Sequence, residues 1–260
     1  MNRLIWTPEL VQKFWDGVGR TRLRELSFSR LAGSQLLQIV QPWLSDGVKC
    51  LDFGAGDGDL VEKLLASGFS AAAYEPNPER RANLLSRAFC SHARFLGVVG
   101  DGQPQSFDVV FATEVLEHVL DAELDTVLAR ISGFVRPGGL LIVTTPNRED
   151  LELSSAYCPL SDALFHRWQH VRSFDAASLN ELLSRFQFER VHQQWLDFSG
   201  AAELHDRNQE LESRVFYLSF LGPLYYLVAP LRRWRAGILA RRRVPPEPTG
   251  GTLLHVCRRR

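Results

Sequence analysis

The stretch Cys50-Leu51-Asp52-Phe53-Gly54-Ala55-Gly56-Asp57-Gly58 constrains this chain more than any other. A short apolar run that ends in alternating glycines reads as a buried strand turning sharply into a helix. Glycine is needed there because it permits left-handed backbone and lets a ligand approach without a Cβ in the way. The spacing also narrows the ligand. A dinucleotide fingerprint requires glycine or alanine three residues after its second glycine, and here that place is Asp59. No Gly-Lys-Ser/Thr ending follows, so the phosphate-cradling nucleotide loop fails as well. A cofactor without a pyrophosphate is favoured.

The surrounding pattern sets that loop in an α/β chain. Short apolar runs at Val48–Phe53, Ala71–Tyr74, Phe95–Val99, Phe107–Ala112, Leu140–Thr144, Phe188–Trp195 and Thr252–Cys257 alternate with helical stretches. Such alternation predicts βαβ units and a mostly parallel sheet of seven strands with helices on both faces. Helices are expected over Leu116–Val135, stopped by Arg136-Pro137-Gly138-Gly139, and over Ala176–Phe186, with a long loop region beyond Pro146. Helical spacing over residues 8–44 predicts an N-terminal helical cap. The expected organisation is a cap over 1–45, a cofactor-binding core over 46–200, an insertion over 201–248 and a closing strand over 249–260.

Glu75 follows the second run in Ala73-Tyr74-Glu75-Pro76-Asn77, about 20 residues past the loop, where an acidic side chain can accept both hydroxyl protons of a ribose. Gly100-Asp101-Gly102 follows the third run. Phe107 to Val119 and Pro137-Gly138-Gly139 complete a series of motifs. In this order the series resembles the class I S-adenosylmethionine-dependent methyltransferases, with Asp52 to Gly58 matching their first motif, and the resemblance covers most of the chain. It implies a Rossmann-like, doubly wound sheet and S-adenosylmethionine as cofactor. The residues expected to hold that cofactor are Asp52, Gly54, Ala55, Gly56, Gly58, Glu75, Asp101, Gly102 and Glu114. Asp101 would hold the adenine.

Methyl transfer from a sulfonium is an in-line displacement, so positioning supplies most of the catalysis. A hydroxyl acceptor also benefits from a base that titrates near neutral pH. His118, in Glu114-Val115-Leu116-Glu117-His118, and His170, in Phe165-His166-Arg167-Trp168-Gln169-His170, lie after the strands that form the active face of such a sheet. With Glu114, they are the catalytic candidates. The resemblance to ubiquinone-pathway O-methyltransferases favours oxygen as the acceptor atom, in a small-molecule, lipid-linked or glycan-linked hydroxyl compound. No metal is assigned. The alternative is a metal-dependent RNA 3′-terminal ribose 2′-O-methyltransferase. In it Glu114, Glu117 and His118, spaced to share one helix face, join His170 around a divalent ion. A second alternative binds the cofactor without catalysis.

Charge adds a further expectation. The 30 basic and 30 acidic residues cancel, yet Tyr225 to Arg260 holds nine arginines against the single Glu247, so that end is +8 and residues 1–224 are −8. Val215 to Leu231 carries no charge and Arg232-Arg233-Trp234-Arg235 follows at once. Gly222-Pro223 in its middle argues against a spanning helix. An interfacial element over 215–243 on an anionic membrane is one reading, and a lid or subunit contact is the other. Three small arginine clusters do not define a nucleic-acid groove. Four scattered cysteines without a C-x-x-C pair, and no leader-like N-terminus, point to a reducing cytoplasmic setting, with peripheral contact at the inner membrane face as an extension.

Overall fold

A computed structural model describes residues 2–100, 106–198 and 251–260. Asp101, Gly102 and the insertion over 201–248, including its 215–243 stretch, lie outside the described residues.

In chain order the elements are β1 (Asn2–Arg3), α1 (Pro8–Gly19), α2 (Phe28–Val40), β2 (Lys49–Phe53), α3 (Asp59–Ala66), β3 (Ser70–Tyr74), α4 (Pro78–Leu85), β4 (Phe95–Val98), β5 (Phe107–Thr113), α5 (Asp121–Phe134), β6 (Val135–Pro146), β7 (Ser155–Cys158), β8 (Ala163–His166), α6 (Ala176–Ser184), β9 (Phe188–Leu196) and β10 (Thr252–Arg259). Seven strands form the main sheet in the order β4-β3-β2-β5-β6-β10-β9. The first five pair in parallel, and β10 runs antiparallel to both its neighbours. The doubly wound α/β arrangement is therefore as the sequence predicts.

The strands are apolar throughout because both faces are covered. In β5, Val109 and Phe111 join Leu36, Val40, Leu60 and Leu64 of α2 and α3. Val110 and Ala112 point the other way, toward Leu128, Ile131, Leu179 and Leu183 of α5 and α6. The second half of the expected N-terminal cap thus forms part of one layer of the core. Only α1 stands outside it over the carboxyl ends of the strands, tied by hydrogen bonds from Asn77 to Asp16 (2.8 Å) and from Asn83 to the Gly19 carbonyl (2.9 Å).

Two expectations fail locally. The helix expected from Leu116 begins only at Asp121, because Glu114 adopts a left-handed φ of 51° and the chain turns through residues 115–120. Glu114, Glu117 and His118 therefore share a turn and not a helix face. The Pro137-Gly138-Gly139 stretch is also not a loop before the strand. It is a bulge within β6, where the register with β5 jumps between Phe107–Val135 and Val109–Leu140. Beyond β6, the region read as loop holds a small sheet, β1-β8-β7, in which the N-terminal residues Asn2 and Arg3 pair with Ala163 and Leu164. Its strands are too short for a sequence period to show.

His255, at the centre of β10, is fully buried and neither ring nitrogen has a hydrogen-bond partner. Burial, with Arg190 and His192 nearby, pushes its pKa down to about 4. The unfolded chain takes up this proton below the ordinary histidine value and the folded chain does not, so stability is lost as pH falls from about 6.5 toward 4, by up to about 3 kcal/mol. His255→Leu is expected to flatten that part of the acid limb, read from urea midpoints at pH 6.5 and 4.5.

Candidate functional site

Strand order reverses at β2: the chain goes from β2 to β3 and β4 on one side, and to β5 and β6 on the other. In such sheets the carboxyl ends of the strands at the switch leave a crevice for a ligand. Gly54, Gly56 and Gly58 sit there with φ of 81°, 55° and 84°. At Gly54 a Cβ would come within 2.8 Å of Val115 Cγ2, so both the turn and its neighbour require glycine. Gly58 supplies the left-handed cap of α3. The Gly54 and Ala55 N–H groups donate to the Tyr74 carbonyl (2.8 and 3.0 Å), which ties the loop to the end of β3.

Glu75, one residue further, closes the tie. Its Oε2 accepts the Gly56 N–H (2.6 Å) and its Oε1 the Asn77 N–H (2.8 Å). Burial raises its pKa, opposed by the Arg80 guanidinium and these two N–H groups. Asp52 is fully buried with no hydrogen bond to either carboxylate oxygen. Burial, then the charges of Glu75 and Asp59, push it up to about 8.

Two cavities open on this crevice, of about 570 and 470 Å³, and Trp15, Gly54, Arg80, Glu114 and His118 line both. Glu75 lines the first, while Ala55, Gly56 and His170 line the second. Asp52 and Gly58 line neither. Asp52 lies within β2 and Gly58 at the cap of α3. Helix α1 contributes Trp15, whose ring meets the His118 ring edge-on at 4.9 Å. Its indole N–H donates to Gln169 Oε1 (2.9 Å), and Gln169 Nε2 donates to the His118 carbonyl (2.9 Å). Arg80 packs its guanidinium against the Trp15 ring at 5.3 Å and pairs with Asp57 at 3.3 Å. Neither Trp15 nor Arg80 stands out in the sequence: Trp15 reads as one more apolar helix position and Arg80 as one more arginine.

The turn after β5 carries the densest chemistry. Burial raises the pKa of Glu114, which Thr144 and Glu117 oppose and Glu149 assists, and it raises Glu117 further. Neither Glu117 oxygen makes a hydrogen bond, although the Glu114 carboxyl and the Thr145 hydroxyl lie beside it. Burial and then the nearby His170 push His118 well below the ordinary histidine value, so it stays neutral at pH 7. His118 and His170, 52 positions apart in sequence, stand with ring centroids 4.7 Å apart. Ligating atoms of Glu117, His118 and His170 lie within 4.8 Å of one another, as do those of Glu149, His166 and His170. In the second group these atoms are already joined to each other by hydrogen bonds. Glu114, the fourth member of the set that the metal-dependent alternative requires, belongs to neither group.

A methyltransferase-domain family matches residues 22–193, well over half of the chain. The chain belongs to this family. Among relatives, the ubiquinone biosynthesis O-methyltransferase of Rhodopseudomonas palustris is 27% identical over 233 residues, covering 83% of this chain and 90% of the relative. The enzyme of the same description from Rhizobium etli is 34% identical over 113 residues, but that match spans only 40% of this chain and 43% of the relative. Among solved structures, the 1,6-didemethyltoxoflavin-N1-methyltransferase of Burkholderia thailandensis, bound to that compound and S-adenosylhomocysteine, superposes with a TM-score of 0.57 at 18% identity, covering 100% of this chain and 93% of that one. It shares the fold.

For a methyltransferase loop of this geometry, Gly54→Ala must accept both a left-handed backbone and the close approach of Val115. The expected cost is about 1–2 kcal/mol from the backbone alone. It is read as a lowered urea midpoint, whereas Gly17→Ala, where a Cβ meets nothing within 4 Å, leaves the midpoint unchanged or raises it.

Proposed function

We propose that this protein transfers the methyl group of S-adenosylmethionine to a hydroxyl oxygen of a small-molecule or lipid-linked acceptor. The donor would occupy the first cavity and the acceptor the second. The observation that carries the reading is the meeting of the two cavities at Gly54, Glu114 and His118, over the carboxyl ends of the switch-point strands. A methyl group at that junction would have donor sulfur on one side and acceptor oxygen on the other, the in-line arrangement that displacement requires.

On this reading Gly54 borders the donor cavity and Glu75 holds the ribose hydroxyls, while Ala55 and Gly56 form the part of the loop that lines the acceptor cavity. The Glu75 carboxylate is oriented in advance by the Gly56 and Asn77 N–H groups. Asp52 lies on β2 just before the loop, Gly58 caps α3, and Asp101 and Gly102, outside the described residues, are the proposed adenine contacts. Glu114, whose carboxyl burial favours in the neutral form, borders the junction. His118 and His170 line the acceptor cavity as candidate bases. The match to ubiquinone biosynthesis O-methyltransferases supports oxygen as the methylated atom.

A lipid-linked acceptor is supported by where the chain leaves and re-enters the described fold. Phe198 lines the second cavity. Gly251 accepts a hydrogen bond from Asn147, the neighbour of Pro146 on the same cavity (3.0 Å). The chain thus leaves and returns beside the acceptor cavity on either side of the sequence that holds the uncharged 215–231 run and the arginines after it. No described helix is long and apolar enough to cross a membrane. Peripheral contact with an anionic surface is the corresponding expectation.

Calorimetry with S-adenosylhomocysteine tests the donor site. Wild-type protein is expected to bind, and Glu75→Gln to bind about 10- to 100-fold more weakly, the loss of a charged hydrogen-bond acceptor. No wild-type binding overturns the function. An acceptor screen with labelled S-adenosylmethionine over lipid, small-molecule and RNA fractions then identifies the substrate class, and label entering RNA would replace the small-molecule reading. Flotation with phosphatidylcholine vesicles, with and without phosphatidylglycerol, tests the surface contact. Binding is expected only with the anionic lipid, and equal behaviour with both removes it.

A further inference from the structure

Outside the motifs expected to form the donor site, Glu149 and His170 line the second cavity, and Glu149 joins His170 to a second histidine, His166, stacked on it. His166 and His170 lie face to face, with centroids 4.2 Å apart and planes 20° from parallel. The backbone that carries Glu149 is pinned: the Arg148 N–H donates to the Phe174 carbonyl (2.7 Å) and Asn147 bridges to Phe174. His166 Nδ1 accepts two backbone N–H groups, from Trp168 (3.2 Å) and His170 (3.0 Å). Its lone pair is thereby committed, so the proton of the neutral ring sits on Nε2. That nitrogen donates to Glu149 Oε1 (3.1 Å).

The other carboxylate oxygen, Oε2, meets His170 Nδ1. Burial works against the charge on Glu149, but the hydrogen bonds from His166 and His170 outweigh it and hold the carboxyl well below the usual range. An ionised carboxylate only accepts hydrogen bonds. His170 must therefore carry its proton on Nδ1, which leaves Nε2 with a lone pair when the ring is neutral. His170 faces Glu149 and His166 on one side, and His118 and Glu117 on the other.

We propose that Glu149, held by His166, is a positioning residue that sets the His170 tautomer whose Nε2 takes the proton from the acceptor hydroxyl. The inference rests on the O-methyl transfer proposed above. As the acceptor oxygen bonds to the methyl carbon, the carbon–sulfur bond breaks and its electron pair stays on sulfur. The hydroxyl proton moves to His170 Nε2, the resulting imidazolium is stabilised by the Glu149 carboxylate, and the proton passes to water before the next turnover.

The tautomers can be read directly, without an acceptor, by long-range ¹H–¹⁵N NMR of protein labelled with ¹⁵N-histidine and saturated with S-adenosylhomocysteine. Wild-type His166 is expected with its proton on Nε2 and His170 with its proton on Nδ1. In Glu149→Gln the amide offers one acceptor and one donor to two rings. His166 is locked by its two backbone bonds, so it keeps the amide oxygen. The amide N–H then faces His170 Nδ1 and the His170 proton moves to Nε2.

A wild-type His170 protonated on Nε2, or an unchanged His170 tautomer in Glu149→Gln, overturns the proposal, and the wild-type spectrum decides even if the variant does not fold. With the acceptor returned by the screen, Glu149→Gln should lower kcat about 100-fold with KM changed less than about 2-fold, and Glu149→Asp should recover part of the loss. Equal kcat in Glu149→Gln overturns the role in proton transfer. Absence of any methyl acceptor, with the expected tautomers present, counts against the methyl-transfer reading and not against the positioning of His170.

Discussion

The central position of β2 governs what the rest of this molecule can do. Five parallel strands can be buried on both faces only if helices cross over on each side, and the chain therefore lays β3 and β4 on one side of β2 and β5 and β6 on the other. The crossovers diverge at the carboxyl ends of those strands and leave a crevice there. The glycine loop after β2, Glu75 after β3 and the Glu114–His118 turn after β5 stand at its rim, joined by Glu149 after β6 and His170 after β8. Helix α1 then roofs the gap, held by the contacts of Asp16 and Trp15.

The crevice concentrates polar groups where solvation is poor. Asp52, Glu75, Glu117 and His170 are all less than 10% exposed, and the first three have pKa values pushed upward by burial. Such groups cost stability wherever they lack partners, and the left-handed Glu114 adds backbone strain. Two apolar layers, one built on α2 and α3 and the other on α5 and α6, offset these costs. The polar groups differ in how well they are held. Glu75 and Glu149 have both oxygens engaged and are fixed in place. Asp52 and Glu117 have none engaged.

Much of the architecture is legible in the sequence, because its signals are local. Buried strands need continuous apolar runs, and each of the seven runs read from the sequence lies on an observed strand. The same holds for the loop: Gly54, Gly56 and Gly58 are glycines because the backbone there is left-handed. Legibility fails where a local rule is overridden. Residues 114–118 have helical spacing, yet the hydrogen bond from the Glu114 N–H to the Thr144 carbonyl (2.9 Å) and the left-handed φ at Glu114 hold them in a turn. Pro137-Gly138-Gly139 carries a turn signal, yet pairing with β5 on both sides of it makes it a bulge.

The sequence by itself determined the fold class, the glycine loop and the identity of His118 and His170 as groups with candidate chemistry, since each follows from residue type and short-range spacing. Tertiary structure alone decided which side chains act together. Trp15 comes from α1, Arg80 from α4 and Gln169 from the segment after β8, and no spacing rule connects them. Glu149 and His166 lie 17 positions apart, and only the pinned chain after β6 brings them to one hydrogen bond. The protonation pattern of the Glu149, His166 and His170 cluster depends on backbone N–H directions at Trp168 and His170, which are fixed by the folded chain and carry no signature in residue identity.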